Sequence, residues 1–162
     1  MRYRAAVITI SDRGSRGERI DTSGPALVSM LKDSYEMVRT EVIPDEMDII
    51  AETIKRLVDE EKVDLIVTTG GTGVGKRDVT PEATRLVIEK DLPGFSEIMR
   101  LESYRITPHG IISRGISGIR GVSIIINLPG SPRAATECLS FVFGAIPHAL
   151  SKVKGDPSEC AR

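Results

Sequence analysis

Gly70, Gly71, Gly73 and Gly75 fall within GGTGVGKR, directly after the apolar run Val63 to Thr69. Glycines placed there let backbone N–H groups come close to a phosphate, and a helix N-terminus nearby adds favourable partial charge. Asp45 and Asp78 each follow a predicted strand and precede a predicted helix start, so both can face one crevice. Two carboxylates beside a phosphate-binding loop suit a magnesium–nucleotide, because Mg²⁺ takes one or two carboxylates together with phosphate oxygens. Asp12, after the first predicted strand, is a third acid at the same edge. Asp45 is also well placed to cap the helix that follows it. Asp78 is harder to explain that way, because Thr80 already supplies a capping hydroxyl.

Two familiar phosphate motifs are excluded. Gly70, Gly75 and Lys76 meet G-x-x-x-x-G-K, but Arg77 stands where Ser or Thr would hold magnesium, and the helix start comes only at Thr80-Pro81. The dinucleotide fingerprint fails on spacing, and the loop follows the third strand instead of the first. His109 and His148 are the only histidines and neither sits in a motif, so no Ser–His–acid arrangement is readable. Cys138 and Cys160 lack metal-ligand spacing and read as free thiols.

The elements that must position these residues alternate. Ala5 to Ile10 predicts a buried strand, Ser23-Gly24-Pro25 opens a helix, and Met37 to Ile43 predicts a second strand. Helical spacing of Ile50, Ile54, Leu57 and Val58 follows Asp45, and Val63 to Thr69 predicts a third strand. Thr80-Pro81-Glu82 starts a further helix, which Pro93-Gly94 breaks before another over Phe95 to about Arg105. Ile111 to Ser113 and Val122 to Leu128 are expected to pair through a turn at Gly118 to Gly121. A last helix after Ser131-Pro132 should be bent or split by Gly144 and Pro147. The pattern is an α/β fold: a doubly wound, mostly parallel sheet with an antiparallel element. Ligands of such sheets bind beyond the carboxyl ends of the strands.

Length and charge narrow the function classes. The 162 residues suit one domain, expected over 1–155, with 156–162 as a flexible tail. A formal charge of −1 and only three Phe, three Tyr and no Trp argue against nucleic acid as a partner. No apolar stretch is long enough for a membrane span, and the start is too short and polar for a secretory signal, so a cytoplasmic location is expected. Arg13, Arg16, Arg19, Lys76, Arg77, Arg114, Arg120 and Arg133 cluster near predicted turns. They read as solvated surface or, more sharply, as several cations aimed at one phosphorylated ligand.

Thr68 to Gly73 followed by Arg77-Asp78-Val79-Thr80-Pro81-Glu82-Ala83-Thr84 resembles the signature of the MogA/MoaB family and of gephyrin-like G domains. So do Thr9 to Arg13, Ile43-Pro44-Asp45-Glu46, Pro93-Gly94-Phe95, Ser113-Arg114, Gly118 to Gly121 and Ile126 to Gly130. The similarity covers residues 4 to 155 in the family's order and spacing, and Asp21-Thr22-Ser23-Gly24 is MoaB-like.

That resemblance implies molybdopterin adenylyltransferase activity in molybdenum cofactor biosynthesis: AMP passes from Mg²⁺–ATP to the terminal phosphate of molybdopterin, and pyrophosphate leaves. It puts the catalytic, metal-holding acids on Asp45 and Asp78. It puts nucleotide and molybdopterin contacts on Ser11, Asp12, Pro44, Gly70, Gly71, Thr72, Gly73, Arg77, Thr80, Ser113, Arg114, Asn127, Pro129, Gly130 and Ser131. It implies that the α/β fold is three-layer, and it implies a homotrimer, alternatively a hexamer, and the molybdenum-insertion enzyme as a partner. Asn127 and Ser131 have a second reading, as turn former and helix cap. The alternative function is a molybdopterin-binding MoaB-like paralogue without turnover, which retention of both acids disfavours.

Overall fold

The computed structural model describes residues 1–160. In chain order it contains β1 (Arg4–Ile10), α1 (Asp12–Ser15), α2 (Ser23–Leu31), β2 (Glu36–Ile43) and α3 (Met47–Lys55), which runs on through a π-turn, Arg56–Glu60. β3 (Leu65–Thr69), α4 (Thr80–Val87), β4 (Lys90–Asp91) and α5 (Pro93–Ile106) follow. Then come a 3-10 turn, Pro108–Ile112, β5 (Ser117–Arg120), β6 (Ser123–Leu128) and α6 (Pro132–Val142). A 3-10 segment at Phe143–Ala145 separates α6 from α7 (Ile146–Val153), the split expected of Gly144 and Pro147. The expected tail at 156–162 falls in its last two residues outside the described residues.

Six strands form one sheet in the order β2-β1-β3-β6-β5-β4. β2, β1, β3 and β6 are parallel, and β5 and β4 add antiparallel strands at one edge. The central strands are continuous apolar runs because both of their faces are covered. Successive side chains go to opposite layers. Ala5, Val7, Leu65, Val67, Ile124 and Ile126 pack with α2, α6 and α7, whereas Ala6, Ile8, Ile66 and Ile125 pack with α3 and α4. Two cores thus clamp the sheet and hold its strand ends rigidly. No helix among the described residues is long and apolar enough to cross a membrane.

Three expectations need correction. Ile111 to Ser113 is no strand: Pro108 and Gly110 curl this segment into the 3-10 turn, with Ile111 and Ile112 exposed. The partner of β6 is β5, and the turn is at Gly121 (φ 56°), not over Gly118 to Gly121. Gly118 is a strand residue, glycine because a side chain would press on the Lys90 carbonyl oxygen of β4, 2.8 Å away. The N-caps of α3 and α4 are Glu46 and Val79, neither with a side-chain cap, so Asp45 and Thr80 are not the capping groups their positions suggested. Both side chains are committed elsewhere.

Candidate active site

β2 lies on one flank of β1 and β3 on the other, so the connections leaving these strands diverge above their carboxyl ends. Such a switch point is where an open α/β sheet offers a crevice. A cleft of about 320 Å³ opens there, bounded by Ser11 and Gly14 after β1, Asp45 after β2, Gly70, Gly71 and Asp78 after β3, and Gly130 and Ser131 after β6. The loops can meet because side chains are missing where backbones touch. Gly70 (φ 105°) lies against the Ile10 carbonyl, and Gly130 stands 3.3 Å, measured from an added Cβ, from the Gly70 Cα.

Asp45 and Asp78 both face this cleft. Asp45 and Asp12 exchange hydrogen bonds: the Asp12 N–H donates to Asp45 Oδ2 at 2.9 Å, and the Asp45 N–H donates to Asp12 Oδ1 at 3.0 Å. Asp78 is held by its own loop, where the Gly75 N–H donates to its Oδ2 at 2.8 Å. The Oδ1 atom of each cleft acid accepts no hydrogen bond among the described residues. Two carboxylates, each with one oxygen to spare, fit Mg²⁺, which takes one or two carboxylates and completes its shell with phosphate oxygens and water. No group of three or more His, Cys, Asp or Glu side chains placed to hold a metal occurs among the described residues, so a substrate would have to supply further ligands.

Burial pushes the Asp45 carboxyl above the ordinary carboxylate range, and the charges of Asp12 and Asp78 add to it against the hydrogen bond from Asp12 and the charge of Arg77. The folded chain therefore disfavours ionised Asp45. The stability involved is fully present below the unfolded value, near 3.9, and is lost as pH rises through the raised folded value. Asp45→Asn keeps an acceptor for the Asp12 N–H and removes the charge. At pH 7 its melting temperature is expected to equal or exceed that of wild type. A clear drop in calorimetry would show that the charge is stabilising.

The glycine loop is braced from outside. The Arg114 guanidinium donates to the carbonyls of Gly73 (2.7 Å) and Asp78 (2.8 Å) and pairs with Glu82. Thr80 Oγ1 donates to the Gly70 carbonyl at 2.9 Å, and the Thr80 N–H donates to that of Gly71. Gly71 (φ 68°) has no room for a side chain between Thr80 Oγ1 and Asp45 Oδ1. The Gly71 N–H finds no acceptor among the described residues.

Of the sequence-derived contacts, Ser11, Gly70, Gly71, Gly130 and Ser131 line the cleft with the two acids. Ser131 satisfies both of its readings, since its Oγ also caps α6 by accepting from the Ala134 N–H at 3.1 Å. Thr72, Gly73, Thr80 and Arg114 form the frame of the loop, and Pro44 shapes the turn that carries Asp45. Pro129 accepts from Thr69 Oγ1 at 2.6 Å. Asn127 is turned inward: its Nδ2 donates to Thr68 and Thr84 Oγ1, both at 3.0 Å, and its Oδ1 accepts from the Ile116 N–H. It ties β6 to β3 and α4 and is not on the cleft. Ser113 borders a separate small hollow with Asn127 and Pro129. Among the described residues the clustered cations do not gather around the cleft. Arg16, Arg77, Arg114, Arg120 and Arg133 pair with acids, and Arg19 alone among the clustered basic residues borders the cleft.

Thr9 and Arg19 to Ser23 make a further wall of the cleft. In the sequence Arg19 stands out only as one of the clustered cations, and Thr9 and Asp21 to Ser23 through the resemblance, none of them as a site residue. Thr9 Oγ1 donates to Asp21 Oδ2 at 2.8 Å, the Gly24 N–H donates to Asp21 Oδ1 at 3.0 Å, and Ser23 Oγ donates to the Gly130 carbonyl at 2.6 Å. A local cue to this wall was Asp21 placed three residues before Gly24, a spacing that favours a side-chain-to-backbone turn.

Comparison with known proteins places the chain in a family. Residues 6–148 match the family model described as a probable molybdopterin binding domain. The chain belongs to this family. A molybdopterin adenylyltransferase of Helicobacter pylori J99 is 45% identical over 154 residues, spanning 93% of this chain and 87% of the relative. The crystal structure of the molybdopterin biosynthesis enzyme MoaB from Thermus thermophilus superposes with a TM-score of 0.90 at 45% identity, covering 97% of this chain and 99% of that one. The tungsten cofactor synthesizing protein MoaB from Pyrococcus furiosus superposes with a TM-score of 0.84 at 33% identity, covering 94% and 98%. The six-stranded, mostly parallel architecture of this molybdopterin-binding domain is thus shared with MoaB and MogA structures.

Proposed function

We infer that the protein is a molybdopterin adenylyltransferase that moves AMP from ATP to the terminal phosphate of molybdopterin and releases pyrophosphate. The observation that carries this reading is Asp45 and Asp78 sharing one cleft with the glycine turn at Gly70 and Gly71. Relatives bearing that enzyme name at 45% identity support it.

In the proposed reaction an oxygen of the pterin phosphate attacks the α-phosphorus of ATP. A new phosphoanhydride bond forms as the bond to pyrophosphate breaks. No covalent protein nucleophile is required, so the chain's task is to position anions that repel one another. Asp45 and Asp78 would hold Mg²⁺ through their spare oxygens. Bound there, Mg²⁺ would screen the crowded phosphates and stabilise the leaving pyrophosphate. The Gly71 N–H, free of protein acceptors, would donate to a phosphate oxygen. Arg19 would add a cationic side chain to the cleft, and Thr9, Asp21 and Ser23 would hold that wall in place.

We extend the reading to a homotrimer, with a hexamer as the alternative. Exposed apolar side chains along α5 and the following turn, including Ile98, Leu101, Ile106 and Ile111, support an interface. The cytoplasm, the metal-insertion enzyme as a receiving partner and residues 1–155 as one working unit complete the proposal. The cofactor formed would carry molybdenum or tungsten.

Mixing the purified protein with Mg²⁺–ATP and molybdopterin tests the reaction. Adenylylated pterin and pyrophosphate in equal amounts are expected by chromatography and mass spectrometry. Pterin binding without product would select the non-catalytic paralogue instead.

A further inference from the structure

We propose that Arg77 is a positioning residue: by clipping its loop to Asp12 and Glu46 it sets the separation of Asp45 and Asp78, and it does not itself bind substrate phosphate. This rests on the adenylyltransferase reading and assigns a role to a side chain that the chemistry leaves unused.

Arg77 donates to Asp12 through Nε and Nη2 at 3.0 and 3.1 Å, and through Nη2 to Glu46 Oε1 at 2.7 Å. Two of these bonds form the planar fork that guanidinium makes with a carboxylate, a geometry that fixes direction as well as distance. Asp12 is the same residue whose Oδ1 accepts from the Asp45 N–H and whose own N–H donates to Asp45 Oδ2. Arg77 immediately precedes Asp78 in the chain. One side chain therefore connects the loop carrying one acid to the strand end carrying the other. On the far side Arg114 anchors the Asp78 carbonyl, so the acid is staked between two guanidinium groups.

The charges point the same way. Arg77 already faces two carboxylates, and it is not among the residues that line the cleft. Its side chain is 58% exposed, and exposed pairs contribute little to stability. Its value is geometric. A metal held by two carboxylates from separate loops binds well only if their spacing is preset, and partners one step behind metal ligands commonly change affinity about 10–100-fold.

The test separates metal binding from nucleotide binding and from turnover. Mn²⁺ serves as a paramagnetic probe. Its affinity for the ATP-bound protein is read by electron paramagnetic resonance, and ATP affinity in EDTA is read by calorimetry. Arg77→Ala is expected to weaken Mn²⁺ binding about tenfold, to leave metal-free ATP binding unchanged and to hold the melting temperature within a few degrees. Arg77→Lys, which keeps the charge but not the fork, should recover only part of the loss. Asp12→Asn should weaken Mn²⁺ binding similarly, and the double variant should be no worse than either single one, because both break the same link. Weaker metal-free ATP binding with unchanged Mn²⁺ affinity would make Arg77 a phosphate ligand and overturn the clip, as would additive losses in the double variant. If wild type binds Mn²⁺ and ATP but yields no adenylylated pterin, the transferase reading falls and the clip is judged on the binding data alone. If wild type turns over and Arg77→Ala binds Mn²⁺ equally well, the clip falls and the transferase stands.

Discussion

Asp78→Asn is expected to fold as wild type does and to lose roughly 10²–10³-fold in kcat, the scale seen when one stabilising group is removed from a site of developing negative charge. The fold should survive because the native contact of the side chain is a hydrogen bond from the Gly75 N–H, and an asparagine oxygen still accepts it. Catalysis should not survive, because the second oxygen can no longer give a full anionic ligand to a divalent ion. Steady-state kinetics over a Mg²⁺ titration, with far-ultraviolet circular dichroism as the folding control, decides the matter. Near wild-type turnover at saturating Mg²⁺ would remove Asp78 from the metal site and leave Asp45 without its partner.

The largest expected effect on stability is at Gly70. Gly70→Ala places a methyl group on a residue with φ of 105°, where any L side chain is strained, and drives it into the Ile10 carbonyl oxygen. The obstacle is main chain inside the sheet and cannot swing aside. Backbone strain of this kind costs about 1–3 kcal/mol before any steric overlap is added. A total on the order of 3 kcal/mol would lower the melting temperature by roughly 6–12 °C in a chain of this size. A melt within about 2 °C of wild type, well inside that scale, would mean that the β1 and β3 ends can part, and the cleft would then be a softer structure than its contacts indicate. The same substitution at Gly121, also at positive φ but with open space around it, provides the comparison for strain without overlap.

The extent to which the site was legible in the sequence follows from how local each signal is. Apolar runs such as Ala5 to Ile10 and Val63 to Thr69 are dictated by burial on both faces, a requirement each strand expresses in its own residues. The same holds for the glycines at 70 and 71, whose need for unusual backbone angles is written into the chain at that point. Together with the TTGGTG and RDVTPEAT blocks they made the α/β architecture, the glycine loop and the two acids readable without coordinates.

What only the tertiary structure decided concerns groups with more than one available partner. Asp45 in isolation is a good cap, yet the neighbouring strand end supplies the Asp12 N–H, and the carboxylate goes there instead. Asn127, a residue suited to turns, is drawn inward because Thr68, Thr84 and Ile116 converge to satisfy its amide. Arg77 stands in a loop whose cations could each have met a phosphate, but two acids from distant segments claim it. A short polar side chain carries several hydrogen-bonding options of similar free energy, and the chain around it does not choose among them. The choice is made by whichever partner the packed sheet and helices bring within reach.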